Sequence, residues 1–142
     1  MTRAPTIVWF RRDLRLADNP ALEAALRAGG PVIALYVLDQ TQGLRTPGAA
    51  SLWWLDKSLA ALAAALEALG SRLVLRRGPA ADIVRALAAE TGAAAVTWNA
   101  IFDPGYAERD ADLAQALKAD GVEPRRFNGG HLVNLDAVRT KT

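Results

Sequence analysis

The sequence predicts one α/β domain: a doubly wound, Rossmann-like, five-stranded parallel sheet with helices on both faces. Its 142 residues are about the length of a single domain. Short apolar runs alternate with helical patterns along the whole chain. The run Pro31–Leu38 is almost continuously apolar, which is typical of a central parallel strand covered on both faces. Such alternation favours right-handed crossovers between parallel neighbours.

The first half of the chain supplies two strands and two helices, the run Pro31–Leu38 being the second strand. Thr6–Phe10 is rich in β-branched and aromatic residues and is the first strand. Asn19 can cap the helix that follows, Pro20 suits its first turn, and two glycines from position 29 end it. A long second helix ends at Gly70, and its leucines, at positions 52, 55, 59, 62, 66 and 69, share one face.

The second half supplies three more strands and two helices. The strands are predicted at Arg72–Arg76, Ala94–Trp98 and Glu123–Phe127. Pro79 and Pro104 begin the intervening helices, because proline fits a first helical turn, and glycines at positions 92 and 121 end them. Strand and helix therefore alternate to the end of the fifth strand.

Composition excludes several classes of protein. The chain has no Cys and one His, His131, so disulfides, a cysteine nucleophile and a zinc ligand set are excluded, and no metal site is expected. Its first apolar stretch is too short for a signal peptide or a membrane span, so a cytoplasmic protein without membrane contact is expected. The net charge of +2 is too small to predict nucleic-acid binding by itself.

The candidate binding loops follow from the predicted topology. No G-x-G-x-x-G, G-x-x-x-x-G-K-[ST] or G-x-S-x-G motif occurs, so neither a phosphate-binding loop nor a hydrolase elbow is predicted. In doubly wound sheets, ligands bind beyond the carboxyl ends of the strands where the strand order reverses. The loops after the first and fourth strands, residues 11–16 and 99–105, are therefore the expected site.

The first of these loops is rich in arginine and aspartate. Guanidinium groups leaving the sheet at this edge could bind carboxylates or phosphates through paired hydrogen bonds. Alternatively, Asp13 and Arg15 lock the turn, and Asp18 or Asn19 caps the helix. Spacing alone favours this second, structural interpretation.

The segment Val8–Leu22 closely resembles the opening of the DNA photolyase and cryptochrome family, with its WFRRDLR-like run and DNPAL-like helix start. Ala50–Leu55 resembles the long helix of the same family, and Arg77-Gly78 and Trp98-Asn99 fit later positions. The likeness covers about the whole chain, in order. The sequence is thus similar to the amino-terminal antenna domain of a class I type deoxyribodipyrimidine photolyase.

The resemblance implies that residues 1–128 form the antenna domain and that residues 129–142 begin a connector to a helical FAD-binding domain absent from this sequence. The parent protein would be a light-driven lyase that splits pyrimidine dimers in DNA. The FAD-binding domain would be the partner of this chain, and damaged DNA would be bound through that domain. No catalytic residue is then expected here, and the chain alone would not repair DNA.

The first domain of this family holds an accessory light-harvesting chromophore, which is a deazaflavin, FMN or folate. The resemblance and the topology both place this chromophore at the carboxyl edge of the sheet. Gly105 and Tyr106 stand where folate-binding members carry Asn and Glu, so folate is the least supported of the three. The candidate cofactor-binding residues are Phe10, Arg11, Asp39, Asn99, Ala100 and Asp103, with Ser51 and Trp54 as second choices.

The four tryptophans, at positions 9, 53, 54 and 98, are expected to pack in the core, and the leucine stripe is expected to face the sheet.

An alternative function is structural. On this interpretation the chain is the half of a cryptochrome-like photoreceptor that docks the FAD-binding domain, and it binds no antenna chromophore. Repair and light sensing stay open here, because the residues that separate them belong to that other domain.

Overall fold

A parallel sheet forms the centre of the molecule in a computed structural model that describes residues 3–45 and 47–128. Within these ranges, five strands form the sheet in the order β3-β2-β1-β4-β5, and four helices connect them. The doubly wound fold predicted from the sequence is confirmed. In chain order the elements are β1 (Thr6–Phe10), α1 (Pro20–Arg27), β2 (Val32–Asp39), α2 (Ala49–Ala68), β3 (Leu73–Gly78), α3 (Ala80–Thr91), β4 (Ala95–Asn99), α4 (Pro104–Ala119) and β5 (Glu123–Phe127).

The strand order reverses at β1, which pairs in parallel with β2 on one side and with β4 on the other. Both neighbours start level with Thr6, which lies opposite Val32 on β2 and Ala95 on β4. The carboxyl ends of β1 and β4 therefore meet at one edge of the sheet. This switch point is where the sequence predicted a ligand site.

Two hydrophobic clusters cover the two faces of the sheet. Side chains of successive strand residues point to opposite faces, so Trp9 packs with α3 and α4, whereas Phe10 packs with α1 and α2. Val84 and Leu113 are buried in the first cluster, and Leu62 is buried in the second. This alternation decides which β1 side chains can reach each side of the switch point.

The start of α1 bears out the structural interpretation of the loop after β1. Asn19 is the N-cap, and its Oδ1 accepts a hydrogen bond of 3.2 Å from the backbone N–H of Leu22. Pro20 occupies the first turn, as predicted. Asp13 accepts a hydrogen bond of 2.8 Å from the backbone N–H of Arg11, so this carboxylate does lock the turn.

The expectation that all four tryptophans pack in the core is wrong for two of them. Trp9 and Trp98 are buried, with edge-to-face rings 5.8 Å apart. Trp53 and Trp54 on α2 are 55% and 66% exposed. Within α2, residues 49–61 include no fully buried side chain, because only the later turns of this helix are buried against the sheet.

The expectation for the leucine stripe is right for the second half of α2 only. Leu62 and Leu66 are buried against the sheet, whereas Leu52 and Leu69 are exposed. The third strand also lies later than predicted, at Leu73–Gly78, because Arg77 and Gly78 continue the pairing with β2. Helical spacing shows which leucines share a face, but not how much of that face the sheet covers.

Two expectations concern residues that the structure does not describe. The predicted connector at residues 129–142, which includes His131, lies outside the described ranges. The domain boundary after residue 128 therefore stays a prediction. Of the helices in the described ranges, none is both long enough and apolar enough to span a bilayer.

Candidate functional site

Two adjoining cavities lie at the switch point. The larger, of about 390 Å³, lies between the loop after β1 and residues 99–103, which are the last residue of β4 and the loop after it. The smaller, of about 140 Å³, lies beside the ends of β1 and β2 and against α4. Arg12 and Ile101 line both cavities, so these two side chains form their common wall. The larger cavity has the size of a small-molecule site, and the smaller one has room for part of a ring.

A buried amide network joins the two loops beside the larger cavity. The side-chain N–H₂ of Asn99 donates hydrogen bonds to Asp13 and, over 2.8 Å, to Asn19. Its Oδ1 accepts a hydrogen bond of 3.2 Å from the backbone N–H of Ala21. Because Asn99 and Asn19 are buried, these bonds are shielded from water and fix the end of β4 to the start of α1.

A buried ion pair forms the floor beneath the smaller cavity. The guanidinium of Arg11 donates 2.5 Å hydrogen bonds to Asp110 on α4 and to the backbone carbonyl of Asn99. The side chains of Arg11 and Asp110 are only 6% and 4% exposed. Burial lowers the pKa of Arg11, and the charge of Asp110 opposes that shift. The pair therefore ties β1 and β4 to α4.

The carboxylate of Asp39, at the end of β2, anchors another wall of the smaller cavity. It accepts hydrogen bonds from the backbone N–H groups of Thr41 and Ala80 over 3.0 and 3.2 Å, and it pairs with Arg109. Burial by itself raises the pKa of Asp39, but the hydrogen bonds from Thr41 and Arg109 outweigh burial and hold this pKa below its ordinary value.

The lowered pKa of Asp39 predicts a pH-dependent contribution to stability. Stabilisation by a carboxylate of lowered pKa is present above the unfolded-state pKa of about 3.9 and is lost as the pH falls through the folded-state value. Asp39→Asn should therefore lower the urea midpoint at about pH 7, and its deficit against wild type should shrink toward about pH 3. A deficit that stays constant across this range of pH would contradict the assignment.

An exposed ion pair bridges the two loops at the mouth of the site. Arg12 donates a 2.9 Å hydrogen bond to Asp103, and both side chains are more than half exposed. The guanidinium of Arg12 lowers the pKa of Asp103. Arg12 also lies 5.1 Å from the ring centre of Tyr106. Water screens this pair, so it contributes little to stability and can rearrange around a ligand.

The structure brings five of the eight predicted site residues to the two cavities. Asn99, Ala100 and Asp103 line the larger cavity, and Arg11 and Asp39 line the smaller one. Phe10 is buried in the cluster with α1 and α2, on the other face of the sheet from Trp9. The described residues that line these cavities do not include Phe10, nor do they include Ser51 and Trp54, which are exposed on α2.

Sequence reasoning missed the aromatic rings of the smaller cavity and the arginine that touches them. Trp9, Tyr36 and Tyr106 line this cavity together with Arg109. Tyr106 and Arg109 are three residues apart on α4, so their spacing predicts a shared helical face. The alternation along β1 and β2 places Trp9 and Tyr36 in the sheet, but only the packing of α4 brings Arg109 over the ring of Trp9.

The described residues suit the binding of a small molecule and include no cluster of metal ligands. Within residues 3–45 and 47–128, no three His, Asp or Glu side chains are grouped so that they could hold a metal ion. What the site offers is aromatic surface together with guanidinium and carboxylate groups, a combination that can hold a planar conjugated ring with polar substituents.

Comparisons with known proteins agree with this fold. The family model for DNA photolyase matches residues 6–142. The chain is 48% identical to the deoxyribodipyrimidine photo-lyase of Agrobacterium fabrum, over 98% of this chain and 29% of that protein. It is 46% identical to cryptochrome-1 of Arabidopsis thaliana, over 87% of this chain and 18% of that protein.

Two solved structures are similar over nearly the whole chain. A bacterial class III photolyase from Agrobacterium tumefaciens superposes with a TM-score of 0.92 at 47% identity, over 99% of this chain and 29% of that chain. An archaeal photolyase from Sulfolobus tokodaii, solved with two FAD molecules that imply a novel light-harvesting cofactor, gives a TM-score of 0.86 at 27% identity, over 96% of this chain and 32% of that chain.

These matches and the fold define an amino-terminal photolyase and cryptochrome domain, and the chain belongs to the DNA photolyase family. The family resemblance seen in the sequence is therefore confirmed. The Agrobacterium structure is of class III, whereas the sequence suggested the class I type. The chain spans less than a third of the length of the curated relatives described above.

Proposed function

We propose that this chain is the amino-terminal domain of a light-driven photolyase that repairs pyrimidine dimers, and that it holds an accessory light-harvesting chromophore at the switch point. The pair of adjoining cavities, with aromatic rings on one side and arginines between them, is the observation that carries this proposal. The chain is not catalytic alone. FAD and damaged DNA would be bound by the remaining part of the parent protein.

The residues of the two cavities fit such a chromophore. Tyr36 and Tyr106, which are both partly exposed, offer ring surfaces, and Asp39 can accept a hydrogen bond from a ring N–H group. Arg12 and Arg45 can bind an anionic or carbonyl-bearing tail. When bound, the chromophore would absorb near-ultraviolet or blue light and pass the energy to FAD. A deazaflavin or FMN is favoured, and folate is the least supported.

A larger side chain at the common wall of the two cavities should weaken chromophore binding. Ile101→Trp places an indole where both cavities meet, so the affinity for FMN or a deazaflavin should fall at least about tenfold. Ala119→Trp, which adds an indole at the exposed end of α4, is the matched control and should bind as wild type does. Fluorescence titration measures both variants. Equal affinities in Ile101→Trp and wild type would contradict the proposed site.

A second candidate function is favoured by the exposed apolar surface of α2. Leu52, Trp53 and Trp54 are 41%, 55% and 66% exposed, and the rings of Trp53 and Trp54 meet edge to face at 4.9 Å. Clustered exposed aromatic side chains mark interaction surfaces. On this account the chain is the docking half of a cryptochrome-like photoreceptor that binds no antenna chromophore.

The partner proposed for α2 is the FAD-binding part of the parent protein, because the relatives carry more than two thirds of their length beyond the matched portion. The corresponding part of the Agrobacterium fabrum photo-lyase, made separately, should bind this chain. Trp53→Ser with Trp54→Ser should weaken that association at least about tenfold, because aromatic residues dominate interfaces. Ala60→Ser with Ala61→Ser is the matched control on α2. Undiminished association of the tryptophan variant would contradict the docking surface.

A further inference from the structure

Guanidinium groups lie over both aromatic rings that α4 and β1 bring to the smaller cavity. The Cζ of Arg11 is 4.6 Å from the ring centre of Trp9, and that of Arg109 is 5.2 Å from it. The ring of Tyr106 has Arg12 at 5.1 Å and Arg109 at 5.5 Å. Three arginines therefore make four cation–π contacts with two rings, and Arg109 touches both.

Indole and phenol rings are also the rings that lose an electron most readily. In a site that absorbs light, one electron can leave such a ring, which becomes a radical cation, and pass to the light-excited chromophore. The electron then returns, and the absorbed energy is lost as heat. An oxidisable ring close to a light-harvesting chromophore therefore competes with useful energy transfer.

We propose that Arg11, Arg12 and Arg109 protect the excited state in this cavity by making Trp9 and Tyr106 hard to oxidise. This inference rests on the proposed antenna function. A neutral ring attracts a cation through its quadrupole, whereas an oxidised ring repels it. Each guanidinium thus stabilises the reduced ring and raises the cost of removing an electron.

Burial and anchoring hold two guanidinium groups in place over Trp9. Trp9 and Arg11 are both buried, so little water screens the charge. Asp110 accepts hydrogen bonds of 2.5 Å from Arg11 and 2.9 Å from Arg109, and Asp39 holds Arg109 from the other side. These carboxylates fix the orientation of the two guanidinium groups over the indole.

The fluorescence lifetime of FMN bound to the chain tests the inference, with every variant made in a Tyr36→Phe background that removes the third oxidisable ring of this cavity. Arg109→Met removes the shared cation, and we expect the lifetime of the bound flavin to shorten at least about tenfold, because electron transfer from the rings becomes favourable. Arg109→Lys, which keeps a cation, should retain most of the wild-type lifetime. Adding Trp9→Phe and Tyr106→Phe to Arg109→Met should restore the lifetime, since phenyl rings are poor electron donors.

The outcomes separate this inference from the proposed function, because affinity and lifetime are measured independently. An unchanged lifetime in Arg109→Met, or a shortening that persists without the two donor rings, overturns the inference while FMN binding stands. If FMN does not bind to wild type, the flavin form of the proposed function fails. The ring chemistry is then tested with free photo-excited riboflavin, in a background with Trp53→Phe and Trp54→Phe. In this background the tryptophan radical signal comes from the two remaining tryptophans, Trp9 and Trp98. If its yield is no higher in Arg109→Met than in wild type, the inference is overturned.

Discussion

Replacing Arg11 by Met should lower the free energy of unfolding by about 2–3 kcal/mol, because the buried carboxylate of Asp110 loses one of its two arginine partners and keeps only Arg109. Methionine retains the apolar bulk of the side chain, so packing against Trp9 changes little. The 2.5 Å hydrogen bond to the Asn99 carbonyl is lost as well, which loosens the end of β4.

Urea denaturation of Arg11→Met and wild type measures this loss. The exposed pair of Arg85 with Asp120 supplies a control, because Arg85 donates two hydrogen bonds to this carboxylate at 2.7 and 2.9 Å but lies in water. Arg85→Met should leave the midpoint almost unchanged. If Arg11→Met is no more destabilising than Arg85→Met, the buried pair does not hold α4 to the sheet.

Replacing Asn99 by Ala should destabilise the chain by about 3 kcal/mol, because buried groups left without partners cost about 1–3 kcal/mol each. The substitution removes hydrogen bonds to Asp13, Asn19 and Ala21 at once. Asp13 is affected most, because its buried carboxylate loses a side-chain donor.

Thr97→Val is the graded control for Asn99→Ala, since Thr97 lies two residues earlier on β4. Its hydroxyl donates a single 2.9 Å hydrogen bond to the Ala21 carbonyl, so the loss should be only about 1 kcal/mol. Urea midpoints compare the two variants. Equal losses would show that Asn99 joins the loops no more strongly than one ordinary hydrogen bond does.

The expected fragility of Asn99→Ala affects how chromophore binding is tested. Asn99 was predicted to line the site, and it does line the larger cavity. Its side chain, however, makes hydrogen bonds to the protein, so a loss of affinity in Asn99→Ala could arise from loosened loops alone. Ile101→Trp tests the cavity more directly, because Ile101 forms the wall between the two spaces.

The fold was predictable because local signals agreed with each other. Asn19 and Pro20 specify the start of α1, and the uninterrupted apolar run of β2 indicates a strand covered on both faces. The likeness of Val8–Leu22 to photolyases then fixed the family. No comparable local signal shows where one helix packs against another.

The site was predictable only where it lies at strand ends. Asp39 ends β2 and Ala100 directly follows β4, so topology alone brings them to this edge of the sheet. Tyr106 and Arg109 depend on how α4 is rotated against the sheet, which sequence spacing does not state. Trp53 and Trp54 were misjudged because aromatic residues usually pack in cores, whereas here α2 leaves its first turns uncovered.

The most direct test of the antenna function is the absorption and fluorescence spectrum of the purified chain. Spectra are recorded before and after addition of FMN, a deazaflavin or folate, followed by gel filtration. We expect a near-ultraviolet or blue band to stay with the protein after FMN or deazaflavin is added. No retained band with any of the three would contradict the antenna function and leave the docking role of α2 as the better account.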